Sequence, residues 1–199
     1  MHGLIFRTVE AYVSDSFGPD MWARAIALAD IEITSFEAML QYDASYFPRV
    51  LDGCAKALER PQAMILEDIG TYLITHQNHA SIRRLMRFGG HSFSELLHSL
   101  GDLPDRTRLA VSGLILPQID VREAISQRFI ITSSGSPSGF GHVLVGLLRA
   151  MADDYGTLAV LDHQGTRDGA ETIEVAIVDT AFAKDRGFSL AAGAKVRTA

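Results

Sequence analysis

Along the first hundred residues the apolar positions recur at helical spacing. Leu4, Ile5, Val9, Tyr12 and Val13 fall on one face of an amphipathic helix over residues 1–17. Gly18-Pro19-Asp20 then restarts a helix, because proline is tolerated at the first helical position and an early acid suits the helix dipole. Its inner face carries Trp22, Ala25, Ile26 and Ala29. Residues 31–42 lack periodicity and read as a loop. Pro48 and Pro61 stand at early helical positions, predicting helices over 47–58 and 61–76. Ile82, Leu85 and Met86 make a short helix that Gly89-Gly90 stops. Ser92-Phe-Ser-Glu95 is a capping box. It opens a helix with the stripe Phe93, Leu96, Leu97 and Leu100, which Gly101 ends ahead of Pro104.

The second half changes period. Arg128 to Thr132 reads as a strand, and Ser136-Pro137 caps a helix whose Phe140, Val143, Leu144, Leu147, Leu148 and Met151 follow the 3.6-residue template. Thr157–Leu161 and Thr172–Val178 read as strands of a hairpin, joined by the turn-rich stretch from Gln164 to Gly169. Helices first and strands last predict an α+β fold. The expectation is a mostly helical N-terminal half followed by a small antiparallel sheet with one packed helix. The sequence divides into one domain over 1–184 and a C-terminal tail over 185–199.

Composition narrows the function classes. Hydrophobic residues make up 47%, enough for burial to offset chain entropy. The net charge of −6 argues against nucleic acid, which needs a basic face. Arg83, Arg84 and Arg87 are the one basic cluster, and on a helix they read as a solvated face. The single cysteine, Cys54, excludes an intrachain disulfide and sits at core spacing with Val50, Leu51 and Leu58. The N-terminus has no leader pattern, and the apolar run 109–116 is too short to span a bilayer. A cytoplasmic location follows.

Several motifs carry a resemblance. The opening MHGLIF and the segment Phe17-Gly-Pro-Asp-Met-Trp22 come first, then LLHSLGDL, Pro117, and the run from Gly139 through Gly146 to Leu148. In this order they resemble the H-NOX (heme nitric oxide/oxygen binding) family over roughly residues 1–180. The resemblance implies a helical half and a sheet-plus-helix half around heme. It also implies gas sensing and signalling to a separate protein, a histidine kinase or a cyclic-nucleotide enzyme. Its pocket maps by position onto Ile5, Val9, Leu100, Leu103, Pro117, Val143 and Leu147, residues whose spacing fits an ordinary core equally well. Family members ligate iron through a histidine 13 residues before the pocket proline and hold the propionates with a Y-x-S-x-R motif. Here Pro104 stands at the first position, and Ser133, Gly135 and Pro137 stand at the second. Proline offers no iron ligand, and no arginine remains for a bidentate grip on a carboxylate. Two functions stay open: a heme-based sensor with degenerate ligation, and a heme-free module that binds a protein partner or another apolar or anionic ligand.

The other histidines supply little. His98 is the fallback iron ligand, but it projects about 140° from Phe93, off the apolar stripe. His76 and His79 are spaced for a metal but lack a third ligand. His142 borders the buried face of its helix, and His2 and His163 read as exposed. The serine-rich loop from Thr132 to Gly139 ends at a helix start, where backbone N–H groups attract anions; alternatively, Ser136 is a plain N-cap. No nucleophile elbow or buried carboxylate pair marks an enzyme, since the centre of Gly135-Ser-Pro-Ser-Gly139 is a proline.

Overall fold

In a computed structural model of the chain, residues 1–125 and 127–179 are described. The boundary expected between 184 and 185 lies outside them.

The N-terminus is tied down before the first helix begins. The α-amino group of Met1 donates to the carbonyl of Tyr42 at 2.5 Å, and the Gly3 N–H to that of Leu40 at 2.7 Å. His2 is buried, contrary to the sequence expectation. Its Nδ1 accepts the Leu4 N–H at 3.2 Å and caps α1 (Gly3–Phe17). Glu10 on α1 is also buried, and holds the 31–42 loop by accepting from Ser35 Oγ (2.8 Å) and the Phe36 N–H (2.9 Å). Helices α2 (Pro19–Ala29), α3 (Tyr46–Leu58) and α4 (Gln62–Thr75) complete the first core. Its aromatic centre is Phe6, stacked on Phe36 and edge-on to Phe47.

Beyond α4 come α5 (Ala80–Arg87), α6 (Phe93–His98) and α7 (Leu103–Ala110). Half of the capping box forms: the Ser92 hydroxyl accepts the Glu95 N–H, while the Glu95 carboxylate accepts the N–H of His91 at 2.9 Å. Helix α7 was not anticipated. Pro104 occupies its first turn, where the missing N–H costs nothing, so the proline starts a helix and does not merely follow one.

The sheet has the order β1-β2-β4-β3, antiparallel throughout: β1 (Gln118–Ile125), β2 (Arg128–Ser134), β3 (Leu158–Arg167) and β4 (Ala170–Asp179). Asp168 and Gly169, both at positive φ, turn β3 into β4, as a two-residue hairpin requires. Strand β1 was missed in the sequence because it is a sheet edge. Of its side chains only Ile119 is buried, so no alternation marks it. Helix α8 (Phe140–Tyr155) lies on the sheet and shares the second core, with Leu144, Leu148 and Met151 packed near Ile131 and Ile173. Its N-cap is Gly139, not Ser136.

The two cores meet where α4 crosses α8. A Cβ on Gly70 would collide with the carbonyl of Val143, and one on Gly146 with that of Glu67. Both helices thus use glycine to bring backbone onto backbone. Thr71 Oγ1 bridges the crossing to the carbonyl of Gly146 at 3.3 Å.

Candidate functional site

Away from that crossing the halves do not close. A cavity of about 700 Å³ separates α1 from α5, α7 and the start of α8, a size within the range of pockets that bind small molecules and cofactors. Helix α1 contributes Leu4, Ile5, Thr8 and Val9, and α4 adds Leu66, Ile69 and Leu73. Helix α5 forms one wall with Ser81, Ile82, Arg84, Leu85 and Met86. Opposite stand Leu103 and Thr107 of α7, the segment around Leu114 and Leu116, and Phe140, Val143 and Leu147 of α8.

Of the residues mapped to the pocket, Ile5, Val9, Leu103, Val143 and Leu147 line this cavity. Leu100 is fully buried in the second core and Pro117 is also buried, both off the wall. Pro104 is likewise buried and off the wall; the α7 face that looks inward carries Leu103 and Thr107. Of the three positions taken for the propionate motif, Pro137 reaches the wall, whereas Ser133 and Gly135 do not. Ser133 is buried with its hydroxyl unpartnered among the described residues. His98 lies outside the cavity as well, pairing with Glu123 at 3.3 Å and resting edge-on against Phe129. Among the described residues no histidine, cysteine, tyrosine or carboxylate lines the cavity, and Arg84 is its one charged group. Cys54 is buried in the first core, where burial pushes its thiol up to about 12.

The start of α8 holds an anion already, and the anion belongs to the chain. The carboxylate of Glu171 on β4 accepts the N–H of Gly139 at 2.8 Å and that of Gly141 at 3.1 Å. This overturns the expectation of a free anion site at the serine-rich loop. His163 completes the arrangement. Its Nδ1 accepts the Gly165 N–H at 3.1 Å, so Nε2 carries the proton and donates to Glu171 at 3.1 Å. The side chain of His163 is only 9% exposed, which corrects the sequence expectation for it. The His142 ring stacks on His163 at 3.9 Å and 11°, with Nδ1 3.4 Å from Glu67. His142, His163 and Glu171 bring potential ligand atoms within 4.8 Å of one another. Near-parallel stacked rings, however, give no point that lies in both ring planes, as one bound ion needs. The cluster fastens α8 to the sheet. Sequence reasoning missed it because Glu171 alternates within an ordinary strand pattern.

The chain is an α+β domain in which a helical half and a sheet-bearing half enclose an apolar chamber. The sequence profile described as Haem-NO-binding matches residues 2–163, and the chain belongs to that family. Members of the family are heme-binding sensors, and the match supports a sensory domain in this chain. The unliganded Fe(II) H-NOX protein from K. algicida superposes with a TM-score of 0.78 at 16% identity, covering 92% of this chain and 99% of that one. The Fe(II)NO-ligated H-NOX protein from S. oneidensis gives 0.70 at 17%, covering 90% and 100%. Likeness at such identity concerns the fold. Among curated relatives, soluble guanylate cyclase 89Da of Drosophila melanogaster is 18% identical over 155 residues, 78% of this chain. Soluble guanylate cyclase gcy-31 of Caenorhabditis elegans is 18% identical over 154 residues, 77% of this chain. The chain spans 23% and 22% of the lengths of these two. No helix among the described residues is long and apolar enough to cross a membrane.

Proposed function

We propose that this is a sensory domain whose signal is occupancy of the cavity by an apolar ligand, without heme-iron ligation by histidine. The observation that carries the reading is the wall. Iron in heme sites is held by imidazole, thiolate or phenolate, or by a thioether opposite an imidazole. Here the wall offers only the thioether of Met86, with no imidazole facing it. The residues present therefore do not fit the family's cofactor. Pro104, at the mapped ligand position, and its neighbour Leu103 both lack a donor atom in the side chain.

In this reading the domain performs no catalysis of its own. Filling the cavity shifts the helical half against the sheet half, and a separate cytoplasmic signalling protein reads the change. By family resemblance that partner is a histidine kinase or a cyclic-nucleotide enzyme. A ligand shifts such an equilibrium only by its differential affinity for the two arrangements, and an apolar ligand gains that difference by burying surface at about 25 cal/mol per Å².

Absorption spectroscopy after reconstitution with excess hemin, reduction and desalting tests the reading. The wild-type chain is expected to retain no stoichiometric heme, whereas Leu103→His, which puts an imidazole on the wall, gains a Soret band. A sharp wild-type Soret band at one heme per chain that moves with nitric oxide would return the protein to the heme-based gas sensors.

A further inference from the structure

Three arginines follow one another along α5, and they have different fates. Arg83 and Arg87 both reach Asp154 near the end of α8. Arg83 pairs with one carboxylate oxygen, and Arg87 Nε donates to the other at 2.6 Å. Arg87 also lies over the ring of Tyr155, at 3.8 Å from its centroid. Arg84, by contrast, is among the residues that line the cavity, and its side chain makes no hydrogen bond or ion pair among the described residues. Ser81, one turn earlier on the same face, lines the cavity beside it, and both residues are exposed at the rim.

We propose that the cavity takes a long-chain monocarboxylate, its acyl chain enclosed between the halves and its carboxylate held at the rim by Arg84. The proposal rests on the reading of the cavity as a heme-free ligand chamber and names the ligand class. An almost wholly aliphatic wall matches a hydrocarbon chain. The one charged group on that wall is a guanidinium, which is shaped to grip a carboxylate through two parallel N–H···O bonds. A neutral lipid would leave that cation unused, and a dicarboxylate such as a porphyrin would leave its second acid without a partner on the wall. The remaining anion-binding feature nearby, the start of α8, is taken by Glu171. The net charge of −6 also means that attraction of an anionic ligand must come from a local cation.

Isothermal titration of the whole chain with oleate and with oleyl alcohol, both below their aggregation concentrations, separates the possibilities. Oleate is expected to bind at one per chain and more tightly than oleyl alcohol. Arg84→Gln should weaken oleate about fivefold, the size of a well-oriented pair at an exposed rim, and leave oleyl alcohol unchanged. Arg83→Gln, which alters the same helix away from the cavity, should change neither. Equal binding of the two ligands, unmoved by Arg84→Gln, overturns the carboxylate assignment while the apolar chamber stands. If neither ligand binds, the chamber reading itself fails.

Discussion

The crossing of α4 with α8 and the gap between α1, α5 and α7 join the same two halves in opposite ways. At the crossing, Gly70 and Gly146 remove side chains so that backbone meets backbone. Glu67 adds contacts to His142 and Arg149. Across the gap, branched side chains such as Ile5, Val9, Leu85 and Leu103 face one another with about 700 Å³ between them. One seam is packed backbone on backbone and the other encloses empty volume. The difference shows where movement is possible. Close-packed interiors resist small displacements, so under the proposed function a ligand entering the gap would turn the halves about the glycine crossing and leave that crossing intact.

The sharpest way to break this comparison is to add volume to each seam. Gly146→Val drives a branched Cβ into the Glu67 carbonyl, and overpacking of that kind costs about 3 kcal/mol. The melting temperature should fall by roughly 10 °C. Leu103→Phe adds bulk on the cavity side, where space exists, and should cost less than about 1 kcal/mol. Thermal unfolding of the two variants checks the pair. Equal losses would mean that the gap is as tightly packed as the crossing.

A second test concerns the start of α8, which serves both seams because Gly139 reaches the cavity wall while the helix goes on to the crossing. Glu171→Ala leaves the N–H groups of Gly139 and Gly141 without their acceptor and deprives His163 of its partner. A loss of about 2 kcal/mol is expected, along with faster amide exchange at the first turn of α8 and little change in α4. Unaltered exchange at Gly139 and Gly141 would remove Glu171 as the cap.

Most of the architecture was legible because the helices carry periodic stripes and explicit start signals. The Ser92 capping box and the α8 stripe are examples. Strand β1 was not, since seven of its eight side chains are not buried and a mostly solvated edge has no alternation to read. Helix α7 was hidden by Pro104, which serves equally as a stop or a start. Of the candidate pocket positions, five line the cavity, on the faces of α1, α7 and α8 that border it. Arg84 was not recognised. Sequence spacing puts all three arginines on one short helix, but which of them meets Asp154 depends on a residue 67 positions beyond Arg87. Glu171 and His163 were missed for the same reason, because their partners lie across the sheet and at the start of α8.

The smallest expected effect lies at the link between crossing and gap, where α4 ends and α5 begins. His79 packs edge-on against Tyr72, 4.9 Å between centroids, with His76 and Asp15 nearby. Burial pushes the His79 pKa below its ordinary value, and the neighbouring His76 lowers it further, while Asp15 opposes both. A depressed folded pKa means that the unfolded chain takes up the proton more readily. The stability this group contributes is therefore complete above the unfolded value of about 6.5 and is lost as pH falls through the lower folded value. Between pH 7.5 and pH 5.5 the wild-type melting temperature should drop more than that of His79→Gln. Partial exposure holds the difference to less than about 2 °C. A wild-type chain no more acid-sensitive than the variant would mean that the histidine stays solvated and that the link to α5 is looser than the crossing.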